Sequence, residues 1–511
     1  MRAAKMARFI QGDRGTVGVA FALLLLLEFG ACSSGGGGGQ GGPDASAGGG
    51  ASAKGGSAGT AGALGGGTAG GSGGTGGATA GGGSGGNGAA MGGAAGSGGL
   101  AVGGAGGAAG SASGGTGGIA YKRPFPDTSS KIAILADQFP NLTPAQQQFV
   151  VTHYVGTQKQ TLNQSIPLRA LDPNFIVLHY KLAIWQSAVS YIIDGSTWGN
   201  DLPTVTTNES WFWHNTSIQR VTSTVDGKFL MNLADPGFVQ YWGDVLIQQM
   251  QAGDYDGVFF DSASPDLLQW EAQSPPEPRL SGTGARDTVI PELGNKTYIQ
   301  AWQDWIAPLD AKVSAQGYRL IPNTGSFVTS WDNTNYFLTA GVFCEGFADP
   351  GWSTSDWTAS TNKILALVAA NKIVILQNYL SSTSDMAKRI YYLANYLLVK
   401  GGTTYLDYFD GGGPLEWYPE WTLNLGTATT TGAMVSDLLQ AGVYRRDYQN
   451  GFVLVNPTTS PVSVDLMGTY RHLEPMGGGL VPSGGSEPGT IATTNMTNIS
   501  VPAKGAEIFL R

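Results

Sequence analysis

Four acidic residues close short apolar runs of sequence. Asp137 follows Lys131-Ile-Ala-Ile-Leu-Ala136, Asp261 ends Gly257-Val-Phe-Phe-Asp261, and Glu345 ends Gly341-Val-Phe-Cys-Glu345. Asp407 ends Thr403-Thr-Tyr-Leu-Asp407, with Asp410 close behind. An acid at the end of a buried strand is costly unless it is paired or faces a polar cavity. Each alone would serve as a helix cap or a backbone acceptor, but four at one rim fit a reaction site better. Cleaving a glycosidic bond needs two carboxyl groups flanking it, one a proton donor and the other a nucleophile or base. Asp261 and Glu345 end the fourth and sixth runs and would face each other across a barrel mouth. Candidates to bind substrate hydroxyls are Asp137, His179, Lys181, Asn323, Gln377, Asp407 and Asp410, all at or next to the ends of apolar runs. Trp185, Trp198, Trp211, Trp213, Trp270, Trp352 and Trp357 fall in or beside predicted loops at the same rim. Sugar rings stack on such faces, and Trp185 and Trp352 are the aromatic candidates for substrate contact.

The elements that must position these residues alternate in type. Apolar runs at Lys131–Ala136, His153–Thr157, Phe175–Tyr180, Gly257–Asp261, Arg319–Asn323, Gly341–Glu345, Ile373–Gln377 and Thr403–Asp407 read as strands. Helical patterns lie between them: Thr143-Pro144 and Asp235-Pro236 are helix openings, and further helices are expected over Thr297–Gln316 and Ser384–Lys400. Eight such units in about 300 residues predict a (β/α)8 TIM barrel, whose sites lie at the C-terminal strand ends. A doubly wound open sheet is the rival, but no Gly-rich phosphate fingerprint follows any strand. Beyond Gly432 short strands separated by turns predict a small antiparallel β-sandwich. The expected organisation is therefore a barrel over 119–431 and a sandwich over 432–511.

The preceding residues are of another kind. Between Ser33 and Gly118, 43 of 86 residues are Gly, none is aromatic, and only Asp44 and Lys54 are charged. Such a segment cannot bury enough apolar surface to offset its ordering entropy, so 33–118 reads as a disordered tether. Residues 1–32 have the layout of a secretory signal: Arg2, Lys5, Arg8 and Arg14, then an apolar run from Val17 to Leu27, then Gly30-Ala31-Cys32. The ending resembles a bacterial lipobox with Phe29 where Leu is usual. Cys32 is the expected lipidation site, with ordinary cleavage nearby as the alternative, and Ser33 after it would favour the outer membrane. The remainder holds 23 basic and 34 acidic residues and all 13 Trp. That balance argues against a nucleic-acid partner. Four His, none paired at i,i+4, give no metal signal. No Gly-x-Ser-x-Gly elbow is present. Cys344 is expected to be a small buried hydrophobe. No cofactor is expected, and the chain is expected to be a monomer.

Asp235-Pro236, Tyr255-Asp-Gly-Val-Phe-Phe-Asp261 and Gly341-Val-Phe-Cys-Glu-Gly-Phe347 together resemble glycoside-hydrolase barrels related to the α-galactosidase-type clans. The closest resemblance is to the hypothetical glycosyl hydrolase family fifteen, over roughly residues 125–511. The segment Gly451-Phe-Val-Leu-Val-Asn456-Pro resembles the C-terminal β-sandwich of such enzymes. The resemblance implies that Asp261 is the nucleophile, Glu345 the proton donor, and the outcome retention. The substrate would be a polysaccharide or oligosaccharide, met by a secreted, outer-membrane or cell-surface lipoprotein. Two other classes stay open: a non-catalytic carbohydrate-binding or adhesion protein on a degenerate barrel, and a deacetylase or amidase, which would usually need a metal cluster.

Overall fold

The computed structural model describes residues 121–511, except 188–190, 193–197, 200–201, 225–226, 270–272, 326–333 and 410–413. Residues 1–120, with the expected signal segment, Cys32 and the glycine-rich stretch, lie outside the described residues, as do Asp410, Trp270 and the ring of Trp198. No described helix is long and apolar enough to cross a membrane.

Eight parallel strands stand where the apolar runs predict them. They are β1 (Ile134–Ala136), β2 (Tyr154–Thr157), β3 (Ile176–Leu182), β4 (Gly257–Asp261), β5 (Arg319–Pro322), β6 (Gly341–Glu345), β7 (Ile373–Tyr379) and β8 (Thr404–Phe409). They pair in chain order from β1 to β5 and from β6 through β8 back to β1, and a parallel bridge between Asn323 and Phe343 closes the ring. β4 and β6 share one pattern: Gly at the base, Phe two residues on, an acid at the end. A Cβ on Gly257 or Gly341 would sit 2.4 Å from a carbonyl oxygen of the neighbouring strand, so only glycine fits either start. The rings of Phe259 and Phe343 meet edge to face at 4.7 Å directly below the two acids.

Six long helices accompany the strands: α1 (Pro144–His153), α2 (Leu162–Leu171), α3 (Pro236–Ala252), α4 (Tyr298–Ser314), α5 (Thr354–Ala369) and α6 (Met386–Val399). α1 and α4 open on capping boxes, Thr143 with Gln146 and Thr297 with Gln300. Asp235 caps α3 by accepting from the Gly237 and Phe238 amides. The repeat of strand and helix varies at two places. Among the described residues no long helix follows β5 or β8. After β8 the sequence runs through Trp417, Tyr418, Pro419 and Trp421, an aromatic cluster without helical period that is buried against the barrel.

The outer position after β8 goes to antiparallel structure. β9 (Leu439–Gln440), β10 (Val443–Tyr448), β11 (Gly451–Asn456), β12 (Val462–Met476), β13 (Thr490–Val501) and β14 (Gly505–Leu510) form one sheet in the order 9-10-11-14-12-13. One face packs on α6 through Val453, Val455 and Ile508. The register of the β12–β13 hairpin shifts between Asp465 and Tyr470. Its Val464, Leu466 and Val501 then close over Phe452, Leu454 and Phe509 in a second small core. The Arg389–Glu420 ion pair, both side chains fully buried, ties α6 to the post-barrel segment.

The barrel floor is made by a segment the periodicity reading passed over. Phe125 packs against Tyr405 at 5.5 Å inside the lower opening, and Arg123 reaches Asp256 at 2.8 Å. Arg169 from α2 binds the other Asp256 oxygen at 2.6 Å.

Candidate active site

The inner core decides which side chains reach the mouth. Leu135, Leu178, Phe259, Ile321, Phe343, Ile375 and Tyr405 point into the barrel. Strand side chains alternate, so the next inward position lies two residues further on. That rule brings Asp137, Tyr180, Asp261, Asn323, Glu345, Gln377 and Asp407 into one ring above the apolar layer. Lys159, two residues past the end of β2, completes it: its Nζ lies 3.1 Å from Asp137 Oδ2 and 5.1 Å from the centre of the Phe259 ring.

Asn323 links the two principal acids. Its Nδ2 donates to Asp261 Oδ1 at 2.9 Å and to Glu345 Oε2 at 2.6 Å, while its Oδ1 accepts from the Gly325 amide and fixes the side chain's orientation. Tyr180 donates its hydroxyl to Asp261 Oδ2 at 2.7 Å, and the Ser262 amide donates to Asp261 Oδ1 at 2.8 Å. On the other side of the ring Asp407 Oδ2 accepts from the Asp137 amide at 3.0 Å, and Gln377 Nε2 donates to Asp137 Oδ2 at 3.4 Å.

These environments push the two acids apart. Burial would raise Asp261, but Lys159, Lys228, the Tyr180 hydroxyl and the Asn323 amide outweigh it and hold its carboxyl below the ordinary range. Burial and then the neighbouring Asp261 charge push Glu345 up to about 7. Asp137 is raised by burial against the pull of Lys159, and Asp407 is raised well above its usual value by burial and by Asp137. One ionised carboxylate beside one protonated carboxyl is the arrangement acid–base chemistry uses.

Of the sequence candidates, Asp137, Asp261, Asn323, Glu345, Gln377 and Asp407 come together, while His179 and Lys181 do not. Both lie on the opposite face of β3 from Tyr180. His179 Nε2 meets Gln249 Oε1 of α3 at 3.1 Å, and burial together with Lys181 pushes its imidazole down to about 3. Lys181 Nζ lies 4.4 Å from the centre of the Trp242 ring on the same helix. We expect His179→Leu to lower stability by about 1–3 kcal/mol, by removing its buried hydrogen bond with Gln249, and to leave turnover unchanged; urea unfolding beside initial rates checks both.

The tryptophan platform is also corrected. Trp185 is only 1% exposed in the main core, and Trp213 and Trp357 are buried with their indole N–H groups on Glu277 and Asn395. Trp352 is half-buried, and its carbonyl accepts from Lys504 at 2.5 Å, which sets it against the C-terminal sheet. Indole is large and apolar enough that core burial outcompetes display at the rim. Among the described residues the aromatic groups at the mouth are Tyr180, Tyr379 and Phe409, the last two one inward step above Gln377 and Asp407, with rings 5.8 Å apart. Lys159 and Tyr180 are the ring members that sequence reasoning missed. Counting by twos from Ile176 finds Tyr180; no signal marks Lys159, which lies beyond its strand in a left-handed turn at φ 55°. Cys344 is buried, as expected. Among the described residues no group of three or more His, Cys, Asp or Glu could hold a metal ion.

The model of hypothetical glycosyl hydrolase family 15 matches residues 169–452, more than half of the chain. The chain belongs to this family. It is thus a glycoside hydrolase by family, and the match takes in β3 to β8 with Asp261, Asn323, Glu345, Gln377 and Asp407, while Asp137 and Lys159 precede it. Among solved structures the chain is similar to the maltogenic α-amylase AmyB from Thermotoga neapolitana, at 10% identity over 74% of this chain and 99% of that one, TM-score 0.35. It is similar to the α-amylase from Geobacillus thermoleovorans, at 12% identity over 75% and 98%, TM-score 0.36. A cycloalternan-degrading enzyme from Trueperella pyogenes gives 9% identity over 76% and 63%, TM-score 0.38. No curated protein matches the sequence.

Proposed function

We propose that this glycoside hydrolase cleaves O-glycosidic bonds of a polysaccharide or oligosaccharide with net retention, Asp261 acting as nucleophile and Glu345 as acid and then base. The observation that carries the reading is the single amide nitrogen of Asn323 bonded to both carboxyl groups. Oxygens that share one nitrogen at 2.9 and 2.6 Å lie no more than roughly 5.5 Å apart, the spacing of a retaining pair; an inverting pair leaves about 6.5–9.5 Å for a water.

In the first step an Asp261 oxygen bonds to the anomeric carbon while the glycosidic C–O bond breaks. The leaving oxygen takes the Glu345 proton. In the second, Glu345 removes a proton from water, the water oxygen bonds to the same carbon, and Asp261 is released as carboxylate. Asn323 and Tyr180 hold Asp261 in line throughout, and Asp137, Gln377 and Asp407 stand on the far side of the ring, where sugar hydroxyls would reach them. Proton NMR of the first-formed product should show the substrate's own anomer; the opposite anomer would rule out the covalent route.

The chain is also proposed to be exported and held at the outer membrane by a lipid on Cys32, with the glycine-rich tether as spacer. The basic, apolar and small-residue order of residues 1–32 supports this. Cys32→Ser should abolish labelling by radioactive palmitate, and labelling that persists would contradict it.

A further inference from the structure

The polar ring at the mouth is unevenly satisfied, and the imbalance concerns acceptors alone. Asp137 Oδ1 and Gln377 Oε1 are buried and meet no donor among the described residues. Their residues are 3% and 1% exposed. The donors nearby are engaged: Lys159 Nζ and Gln377 Nε2 on Asp137 Oδ2, Asn323 Nδ2 on Asp261 and Glu345, the Tyr180 hydroxyl on Asp261. A buried acceptor left without a donor is costly, and native proteins leave few such atoms unexplained. Two of them, on β7 and just past β1, flank Asp407 on the strand between. Among the described residues that arc lacks donors, and a guest that brings them would complete it.

Charge acts in the same direction. Asp261 is the carboxylate held ionised, with Lys159 and Lys228 near it, while Glu345 and Asp407 are pushed toward the neutral form. A carboxylate or sulfate on the guest would bring further acceptors and no donor to two acceptors that already lack one, and would stand its charge beside ionised Asp261. We propose that the sugar unit bound on Asp137 and Gln377 carries no acidic substituent, presents donors (hydroxyls or an ammonium) to Asp137 Oδ1 and Gln377 Oε1, and that uronate and sulfated glycans are refused. The inference rests on the reading of Asp261 and Glu345 as the cleaving pair, beside which it seats the sugar. A hydroxyl both donates and accepts, whereas an ammonium offers three donors and no acceptor, so the two guests can be told apart.

The test uses the full chain carrying Glu345→Gln, which stops turnover, and measures binding by calorimetry. The probes are oligogalacturonate and its carboxyl-reduced neutral counterpart, sulfated and unsulfated galactan oligosaccharides, and chitosan oligosaccharides with their N-acetylated counterparts. Each neutral probe should bind at least about tenfold tighter than its acidic counterpart. Asp137→Asn and Gln377→Ala in the same background should each weaken that binding by about tenfold or more. Preference for chitosan over its N-acetylated form assigns the donor as ammonium; equal binding assigns it to hydroxyls. Tighter binding of an acidic probe, binding that neither variant changes, or no binding to any probe overturns the inference. If either variant fails to fold, the charge comparison on the Glu345→Gln chain alone decides. Cleavage by the chain with Glu345 intact is scored separately. Charge-selective binding without cleavage of any glycan would end the cleaving-pair reading and leave this inference standing. Cleavage confined to uronate glycans would do the reverse.

Discussion

Asp261→Asn is expected to lose turnover on every glycoside, by on the order of 10³-fold or more, because no group remains to form the covalent bond. Glu345→Gln is expected to behave differently. Its loss, about 10²–10⁴-fold, should fall on substrates whose leaving oxygen needs a proton. Aryl glycosides with strongly acidic phenols need none, so their first step should survive and release a burst of phenol. The distinction follows from the site. Asp261 is held ionised by Lys159, Lys228, Tyr180 and Asn323 against its own burial, and Glu345 is held protonated up to about 7 by burial and the Asp261 charge. Both variants keep the side-chain shape and the strand beneath, so melting temperatures should stay close to that of the unaltered chain. Stopped-flow measurement of phenol release across a series of leaving groups checks the pair. Equal losses at Glu345 for good and poor leaving groups would remove it from the proton-donor role.

The second large effect concerns Lys159. Its ammonium sits against Asp137 and over the faces of Tyr180, Phe259 and Phe409. Activity requires Asp261 ionised, so the acidic limb of the pH profile falls as pH drops through the Asp261 pKa. Activity also requires Glu345 protonated, so the basic limb falls as pH rises through about 7. Lys159 lowers both carboxyl groups. Removing its charge therefore lets both rise, and Lys159→Met should shift the whole bell to higher pH. On the acidic limb kcat/KM should fall by about tenfold or more, while near the optimum of the shifted profile much of the activity returns. Lys159→Arg keeps the charge and should keep the limbs close to where they were. A profile of unchanged shape and uniformly lower height would mean that Lys159 only supports the fold.

Much of this was legible in the sequence. Apolar runs gave all eight barrel strands, because strands buried on both faces read as continuous Val, Ile, Leu and Phe. The acids that end the runs of β4 and β6 marked Asp261 and Glu345 as the candidate pair, because an acid closing a buried strand needs a polar cavity or a partner. His179 and Lys181 were misread because chemical type was given weight over strand parity: from Ile176 the inward residues are Leu178 and Tyr180, and the helix layer receives the other two. Lys159 was out of reach, since nothing local says that a lysine in the turn after β2 folds back over the mouth. The floor segment around Phe125 was equally silent, because what orders it is the distant Tyr405, Asp256 and Arg169. The tryptophans show the opposite error, in which a residue type suited to sugars was assigned to the rim when the core needed its volume.

The most direct measurement of the central claim is reducing-sugar release from a broad panel of polysaccharides and oligosaccharides by the full chain, by Asp261→Asn and by Glu345→Gln, each shown to be folded by circular dichroism. The account predicts release by the unaltered chain that either substitution abolishes. Release that survives both substitutions would place the chemistry elsewhere on the rim and contradict it.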